Sequence, residues 1–277
     1  KDSSISCASC HFPEKAFSDA GNAFSRGIGG LQGLRNSPAL FNLAWKPLFF
    51  HDGGGVSLEL QAIAPIEDHL EMGNNLADLL RTLNHHSDYK KRFKEAFGRD
   101  NIETTELIFA LAQFQRTLVS ANSKYDKYLL GKESLSPIEK KGLNIFEEKC
   151  SSCHKPPLFT DFTFSNNGLD SEFPSLETDA DNVKLGRARV TKEKSDVGKF
   201  MIPTLRNIIV TYPYMHDGRF KTLEDVINHY RHGIKQYPTL DFRVANGIQI
   251  SEEEKTALLA FLETLTDHDF LTSKFQK

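Results

Sequence analysis

All four cysteines of this 277-residue chain fall inside two copies of one short pattern, Cys7-Ala8-Ser9-Cys10-His11 and Cys150-Ser151-Ser152-Cys153-His154. The chain must fold around whatever those two patterns hold. Cys-x-x-Cys-His is the attachment signature of c-type haem, in which two thiols add to the macrocycle and the adjacent imidazole reaches the iron from the proximal side. Other uses of paired cysteines set the alternatives: a zinc ribbon built from two Cys-x-x-Cys knuckles, a thioredoxin-like redox motif, or two disulfides. A shared zinc would have to close the long loop from Cys10 to Cys150, and a redox motif normally sits in a βαβ context that is missing here. Neither needs histidine in the fifth position twice. The motif pair therefore predicts two covalently bound haem c groups, with His11 and His154 as ligands of the two haem irons.

Length and the 39% hydrophobic content allow one large domain or two of ordinary size. A formal charge of −3 supplies no basic face for nucleic acid and no polybasic run for an anionic membrane surface. No stretch approaches the ~18 consecutive apolar residues of a membrane-spanning helix. The opening Lys1-Asp2-Ser3-Ser4 is not an export signal.

Helical periodicity dominates beyond residue 70. It predicts a helix near 76–84 and another over 103–119, with Leu107, Leu111, Phe114 and Leu118 on one face. A third begins at Ser136-Pro137, where Ser136 and Glu139 can form a capping box, and should end near Lys149, just before Cys150. Thr222 with Asp225 opens a helix to about His232, and Ser251 with Glu254 opens one through Leu265. Residues 160–199 are polar and aperiodic, a long irregular excursion. Alternating strand runs are not evident, so the expected fold is mainly α: two cytochrome c-like haem domains with long irregular loops. A weak repeat supports the duplication. Leu34-Arg35-Asn36, His51-Asp52-Gly53 and Leu58-Glu59 recur as Leu205-Arg206-Asn207, His216-Asp217-Gly218 and Leu223-Glu224, with a linker near 131–136. The expected division is 1–132 and 133–277.

Beyond the two haem motifs, Arg35-Asn36-Ser37-Pro38, Phe50-His51-Asp52-Gly53, Gln61-Ala62 with Pro65 and Glu71-Met72, Pro203-Thr204-Leu205-Arg206-Asn207 and Tyr214-Met215-His216-Asp217-Gly218 line up almost end to end with one family. Together they make the chain resemble the bacterial dihaem cytochrome c peroxidases, which include the MauG-like enzymes. The resemblance implies reduction of hydrogen peroxide to water with electrons from a small redox protein, a cytochrome or cupredoxin, in the periplasm. It implies that the haem of residues 1–132 is peroxidatic and that of 133–277 the electron-transfer port. It also implies a segment ahead of the first motif that this sequence does not contain, and it allows a homodimer.

Three distal residues carry over at the family's spacing after His51: Glu71 to move a proton between peroxide oxygens, Gln61 to orient peroxide, and Pro65. By residue type alone Glu71 would be a solvated carboxylate and Gln61 a loop residue. The family also holds a calcium ion between its domains through one amide side chain and backbone carbonyls, which map to Asn36, Thr211 and Pro213.

Two departures stand out. Where most of the family has tryptophan between the haems, this chain has His51, whose imidazole is far harder to oxidise than an indole. That weakens a role in oxidising partner-protein residues. Trp45, the only tryptophan, reads as a packing residue. The usual methionine ligand of the second haem is replaced by Tyr230, as in the MauG-like branch, and Leu223, Val226, Ile227 and Tyr230 form one helical stripe. His229 and His232 lie off it, and Met215 or His216 are the rival ligands. The sequence thus predicts a dihaem peroxidase. A MauG-like oxidase of protein or organic substrates and a non-catalytic electron-transfer cytochrome are the alternatives.

Overall fold

The helix leading into the second haem motif forms where its start signals lie. Glu139 Nα donates to Ser136 Oγ at 3.4 Å, Ser136 Nα donates back to the Glu139 carboxylate at 2.6 Å, and the helix runs Pro137–Lys149 with Cys150 closing it. A second capping box, Ser251 with Glu254, starts the Glu252–Glu263 helix, which stops two residues earlier than its sequence pattern predicts. The two helices cross at Gly142, where a Cβ would lie 1.9 Å from the Ala257 carbonyl oxygen. Only glycine lets the backbones approach this closely. Around the crossing, Tyr125, Phe146, Phe159 and Phe261 form an aromatic core with ring centroids 5.1 to 6.3 Å apart. Burying each such ring contributes roughly 1.5–3 kcal/mol.

The computed structural model describes residues 2–273. It is mostly helical, as expected. Leu76–His85 agrees with its prediction, and Ser87–Phe97 adds a helix that the sequence pattern did not flag because its faces are solvent-exposed. That helix is supported by the Asp88–Arg92 pair (3.0 Å) and ends on left-handed Gly98. Thr104–Thr117 forms as predicted but is rotated. Its buried face carries Glu106, Leu107, Ile108, Ala112 and Gln115, while Phe114 is exposed. The single ladder among the described residues pairs Phe164–Ser165 with Phe200–Met201, strands too short to leave an alternating pattern. No described helix is long and apolar enough to cross a membrane.

The repeat is visible in the backbone, with one correction to its alignment. Asn42 and Asn207 both adopt left-handed φ (55° and 56°) and start matching 3-10 turns, Leu43–Trp45 and Ile208–Val210. Each uses its side-chain amide on the segment after a long helix: Asn42 brackets Ser120 (2.9 Å both ways), and Asn207 accepts from Asp267 Nα at 2.8 Å. The counterpart of Asn207 is therefore Asn42, not Asn36. Phe50 and Met215 (φ 64° and 74°) and the bridges Phe49–Gly55 and Tyr214–Phe220 then continue the match through both His-Asp-Gly turns.

The halves interlock. Asp267 accepts from Ala121 Nα (3.0 Å) and Asn122 Nα (2.9 Å), and Phe270 packs on Phe17 and Phe41, each at 5.9 Å, inside the first-half cluster. The polar excursion is ordered by the first His-Asp-Gly turn: Arg189 donates to the buried Asp52 carboxylate at 2.7 and 3.1 Å, and Arg187 donates to the Asp52 and Gly53 carbonyls at 3.1 and 3.0 Å.

Candidate haem-binding sites

Each Cys-x-x-Cys-His pattern folds as a tight turn that presents its histidine with one nitrogen already committed. His11 Nδ1 donates to the Phe17 carbonyl at 2.7 Å, and His154 Nδ1 lies 3.2 and 3.1 Å from the Phe159 and Pro203 carbonyls. A carbonyl on Nδ1 fixes the tautomer and leaves Nε2 as the basic nitrogen, the arrangement metal-bound histidines use. Burial holds both rings below the usual histidine range, so they stand neutral and ready to ligate. None of the four cysteines is joined in a disulfide, and burial raises all four thiols, Cys150 to about 12. Among the described residues no three of His, Cys, Asp or Glu converge as a metal-holding group.

The second motif opens on a cavity of about 350 Å³, lined by Cys150, Cys153 and His154 together with Phe146, Leu158 and Leu262. Mostly apolar walls with thiols and an imidazole at one side suit a covalent haem. Tyr230, Met215 and Asn167 also line this cavity. Asn167 Nδ2 donates to Tyr230 Oη at 3.3 Å and lies 3.5 Å from Met215 Sδ. Burial raises the Tyr230 phenol, while the Asn167 bond works in the opposite direction. His216 stacks on Phe200 (3.7 Å, 10°) and is pulled down to about 3 by burial.

The predicted helix around Tyr230 splits in two. Leu223–Asn228 is α, and His229–Gly233 winds as a π turn whose Tyr230 carbonyl accepts from Ile248 Nα at 2.8 Å. The wider turn corrects the helical wheel. His229, expected off the apolar stripe, is buried and bonded through Nε2 to the Asn167 carbonyl at 2.9 Å.

At the first motif, Glu71 is held by its backbone. Its carbonyl accepts from Ile28 Nα (2.7 Å), its own N–H donates to Asp68 (3.1 Å), and a Cβ on Gly27 would lie 2.3 Å from its carbonyl oxygen. The glycine-rich segment thus packs on Glu71 at Gly27. Glu71 is exposed by surface area, yet burial by the surrounding chain, followed by the charge of Asp68, raises its carboxyl. Its charge is also felt at Cys10, which places it on the side of the first attachment turn. Met72 Nα donates to the Pro65 carbonyl (3.2 Å), joining Pro65 to the Glu71 loop, and Gln61 ends the short Leu58–Gln61 helix just before it.

Between the sites, His51 Nε2 donates to the Asn36 carbonyl at 2.8 Å, and burial, then Arg35, pulls the imidazole down to about 4. Asn36, Thr211 and Pro213, the expected calcium ligands, all line the same cavity. The Asn36 amide nitrogen is turned to the Asn22 and Ala23 carbonyls, both 3.2 Å away. Trp45 is 53% exposed rather than packed. Two features escaped the sequence pattern. Lys46 lines the cavity with its ammonium pulled down to about 8 by burial. Asn167 lies in the aperiodic excursion, where no pattern marks it.

A sequence model of the di-haem cytochrome c peroxidase family matches residues 1–134. The methylamine utilization protein MauG of Methylorubrum extorquens is 36% identical over 269 residues, 96% of this chain and 73% of that protein. Cytochrome c551 peroxidase of Nitrosomonas europaea is 34% identical, covering 96% and 75%. The crystal structure of a MauG-like protein associated with microbial copper homeostasis superposes with a TM-score of 0.87 at 31% identity, covering 98% of this chain and 86% of that one.

Proposed function

The chain belongs to the di-haem cytochrome c peroxidase family, which takes in the MauG proteins, and from that membership we propose that it reduces hydrogen peroxide to water with two electrons from a small redox protein. The observation that carries this reading is Glu71, a carboxyl of raised pKa clamped by its backbone beside the first attachment turn. When bound, the haem of Cys7, Cys10 and His11 would supply redox chemistry toward peroxide, and that of Cys150, Cys153 and His154 would supply a one-electron carrier.

The residues divide the remaining work. Cys7 and Cys10 anchor the first haem, and His11, oriented by the Phe17 carbonyl, ligates it. Glu71 takes a proton from one peroxide oxygen and returns it to the other. A raised pKa suits that task because it makes the carboxylate a stronger base for the first transfer. Gln61 orients the peroxide, and Pro65 keeps the loop in register through its bond from Met72. Cys150, Cys153 and His154 hold the second haem, with Tyr230 as its sixth ligand. His51 stands between the sites. Asn36, Thr211 and Pro213 hold calcium at the junction of domains 1–132 and 133–277. The protein works in the periplasm.

Tyr230 beside Asn167 supports a second reading, a MauG-like oxidase that draws electrons from a protein or organic substrate instead of a donor cytochrome. Steady-state peroxide reduction with reduced cytochromes and cupredoxins separates the two. Catalytic oxidation of a donor supports the peroxidase. Peroxide consumption coupled only to oxidation of a non-redox protein or an organic molecule supports the oxidase.

A further inference from the structure

Asn167 holds three neighbours of the second attachment site at once. Its side-chain amide reaches Tyr230 Oη (3.3 Å) and Met215 Sδ (3.5 Å), and its carbonyl accepts from His229 Nε2 (2.9 Å). Tyr230, its rival Met215 and the residue preceding Tyr230 thus converge on one asparagine.

That asparagine is pinned from both sides. Asn166 is buried, accepts from Asp241 Nα at 3.0 Å and donates from its side chain to Thr239 Oγ1 at 2.9 Å. Gly168, at φ +69°, donates to Asn166 Oδ1 (2.9 Å) and accepts from Lys235 Nα (2.9 Å). A Cβ at Gly168 would lie 2.7 Å from Ile234 Cγ2, so the strand-to-loop path is fixed. The backbone that carries the Asn167 amide is therefore held in place on both sides.

We infer that Asn167 is the positioning residue that selects the Tyr230 phenol over the Met215 thioether as sixth ligand of the second haem. The inference rests on the proposed attachment of that haem and on Tyr230 as its ligand. The physical basis is a difference between acceptors. A hydrogen bond from a neutral amide to a phenolate oxygen is charge-assisted and strong, whereas a thioether sulfur is a weak acceptor. The same fixed donor thus favours oxygen ligation over sulfur ligation. Removing it withdraws support from the phenolate and frees the sulfur.

The test uses the protein with both haems attached, comparing wild type with Asn167→Leu, which keeps the size and removes the donor, and Asn167→Gln, which keeps a donor. Resonance Raman spectra read the phenolate modes of the ferric second haem, near-infrared spectra read thioether ligation, and spectroelectrochemistry reads its potential. In N167L the phenolate modes should lose most of their intensity, a thioether band should appear, and the potential should rise. N167Q should restore much of the wild-type signature, and adding Met215→Leu to N167L should abolish the thioether band. Should N167L fail to retain haem, Asn167→Ala removes the donor with a smaller neutral side chain and gives the same reading. Wild-type modes and potential in the donor-less variant, with phenolate modes lost in Tyr230→Phe, would overturn the inference alone. Phenolate modes absent from wild type, with Y230F silent, would overturn the ligand reading and the inference with it.

Discussion

His51 and His216, the histidines of the two His-Asp-Gly turns, are joined through a single residue: His51 Nε2 donates to the Asn36 carbonyl at 2.8 Å, and Asn36 Nα donates to the His216 carbonyl at 2.9 Å. The two turns are thereby connected through hydrogen bonds, at the position where the family resemblance leads one to expect an indole. Burial and Arg35 hold His51 neutral, pulled down to about 4, and a neutral imidazole is hard to oxidise. In His51→Trp, whose indole N–H can keep the bond to Asn36, electron equilibration between the haems after rapid one-electron reduction should be faster than in wild type. Equal rates would assign the transfer to the Asn36 path and leave the ring at position 51 without a relay role.

Glu71→Gln keeps the side chain's shape and removes its proton exchange. Both haems should remain attached while peroxide cleavage slows by roughly two to four orders of magnitude. In wild type, burial and then Asp68 raise this carboxyl, so the carboxylate form is gained only above the usual glutamate range. The rate of peroxide cleavage should therefore climb with pH through a point above that range, and the climb should vanish in E71Q. A pH-independent wild type, or near-normal turnover in E71Q, would make Glu71 an ordinary surface carboxylate.

Resting reactivity follows from which histidines can reach the first site. No histidine occurs from Phe12 to Phe50, and the Nε2 of His51 is already bonded to Asn36. The all-ferric protein should react with one equivalent of peroxide without prior reduction, seen as a Soret change in stopped flow. Reaction only after one electron has been added would mean that a protein ligand closes the first iron.

Arg206 supplies the clearest stability test. It is 4% exposed and bidentate to Asp126 (2.8 and 2.7 Å), with a further bond to the Pro157 carbonyl at 2.8 Å. Removing one partner of such a pair strands the other, so Arg206→Met should cost about 3–5 kcal/mol in reversible unfolding. Burial alone would raise Asp126, but the bonds from Arg206 and Ser123 outweigh it and its pKa is lowered. A depressed carboxyl gives stability that is complete above its unfolded value of 3.8 and is lost as pH falls further. The R206M penalty, measured by denaturant melts, should therefore shrink as pH drops below that value. A constant penalty would leave the ion pair without a part in it.

Much of this arrangement is legible in the sequence because the features that mark it are local. The cysteine motifs, the Ser136–Glu139 and Ser251–Glu254 boxes and the stripe ending at Tyr230 depend on neighbours within one or two turns. What stays hidden depends on distant contacts. The π turn at His229–Gly233 breaks the 3.6-residue period on which the wheel relies, and so His229 turns inward unannounced. Helix Thr104–Thr117 buries Gln115 and exposes Phe114, because its rotation is set by what packs on it. Asn42 and Asn207 share a backbone conformation, but their pairing is masked by the Arg-Asn dipeptide at Asn36. Asn167 sits in a polar stretch that carries no periodicity at all.

In the proposed reaction two electrons from a donor protein reduce one peroxide through this chain. The most direct measurement is the stoichiometry of turnover: protein carrying two covalent haems, a known amount of hydrogen peroxide, and an excess of a reduced small cytochrome or cupredoxin followed by its absorbance. The account predicts two donor molecules oxidised per peroxide consumed, over many turnovers, with the activity lost in E71Q. Peroxide consumed with no donor oxidised, or a protein that retains only one haem, would contradict it.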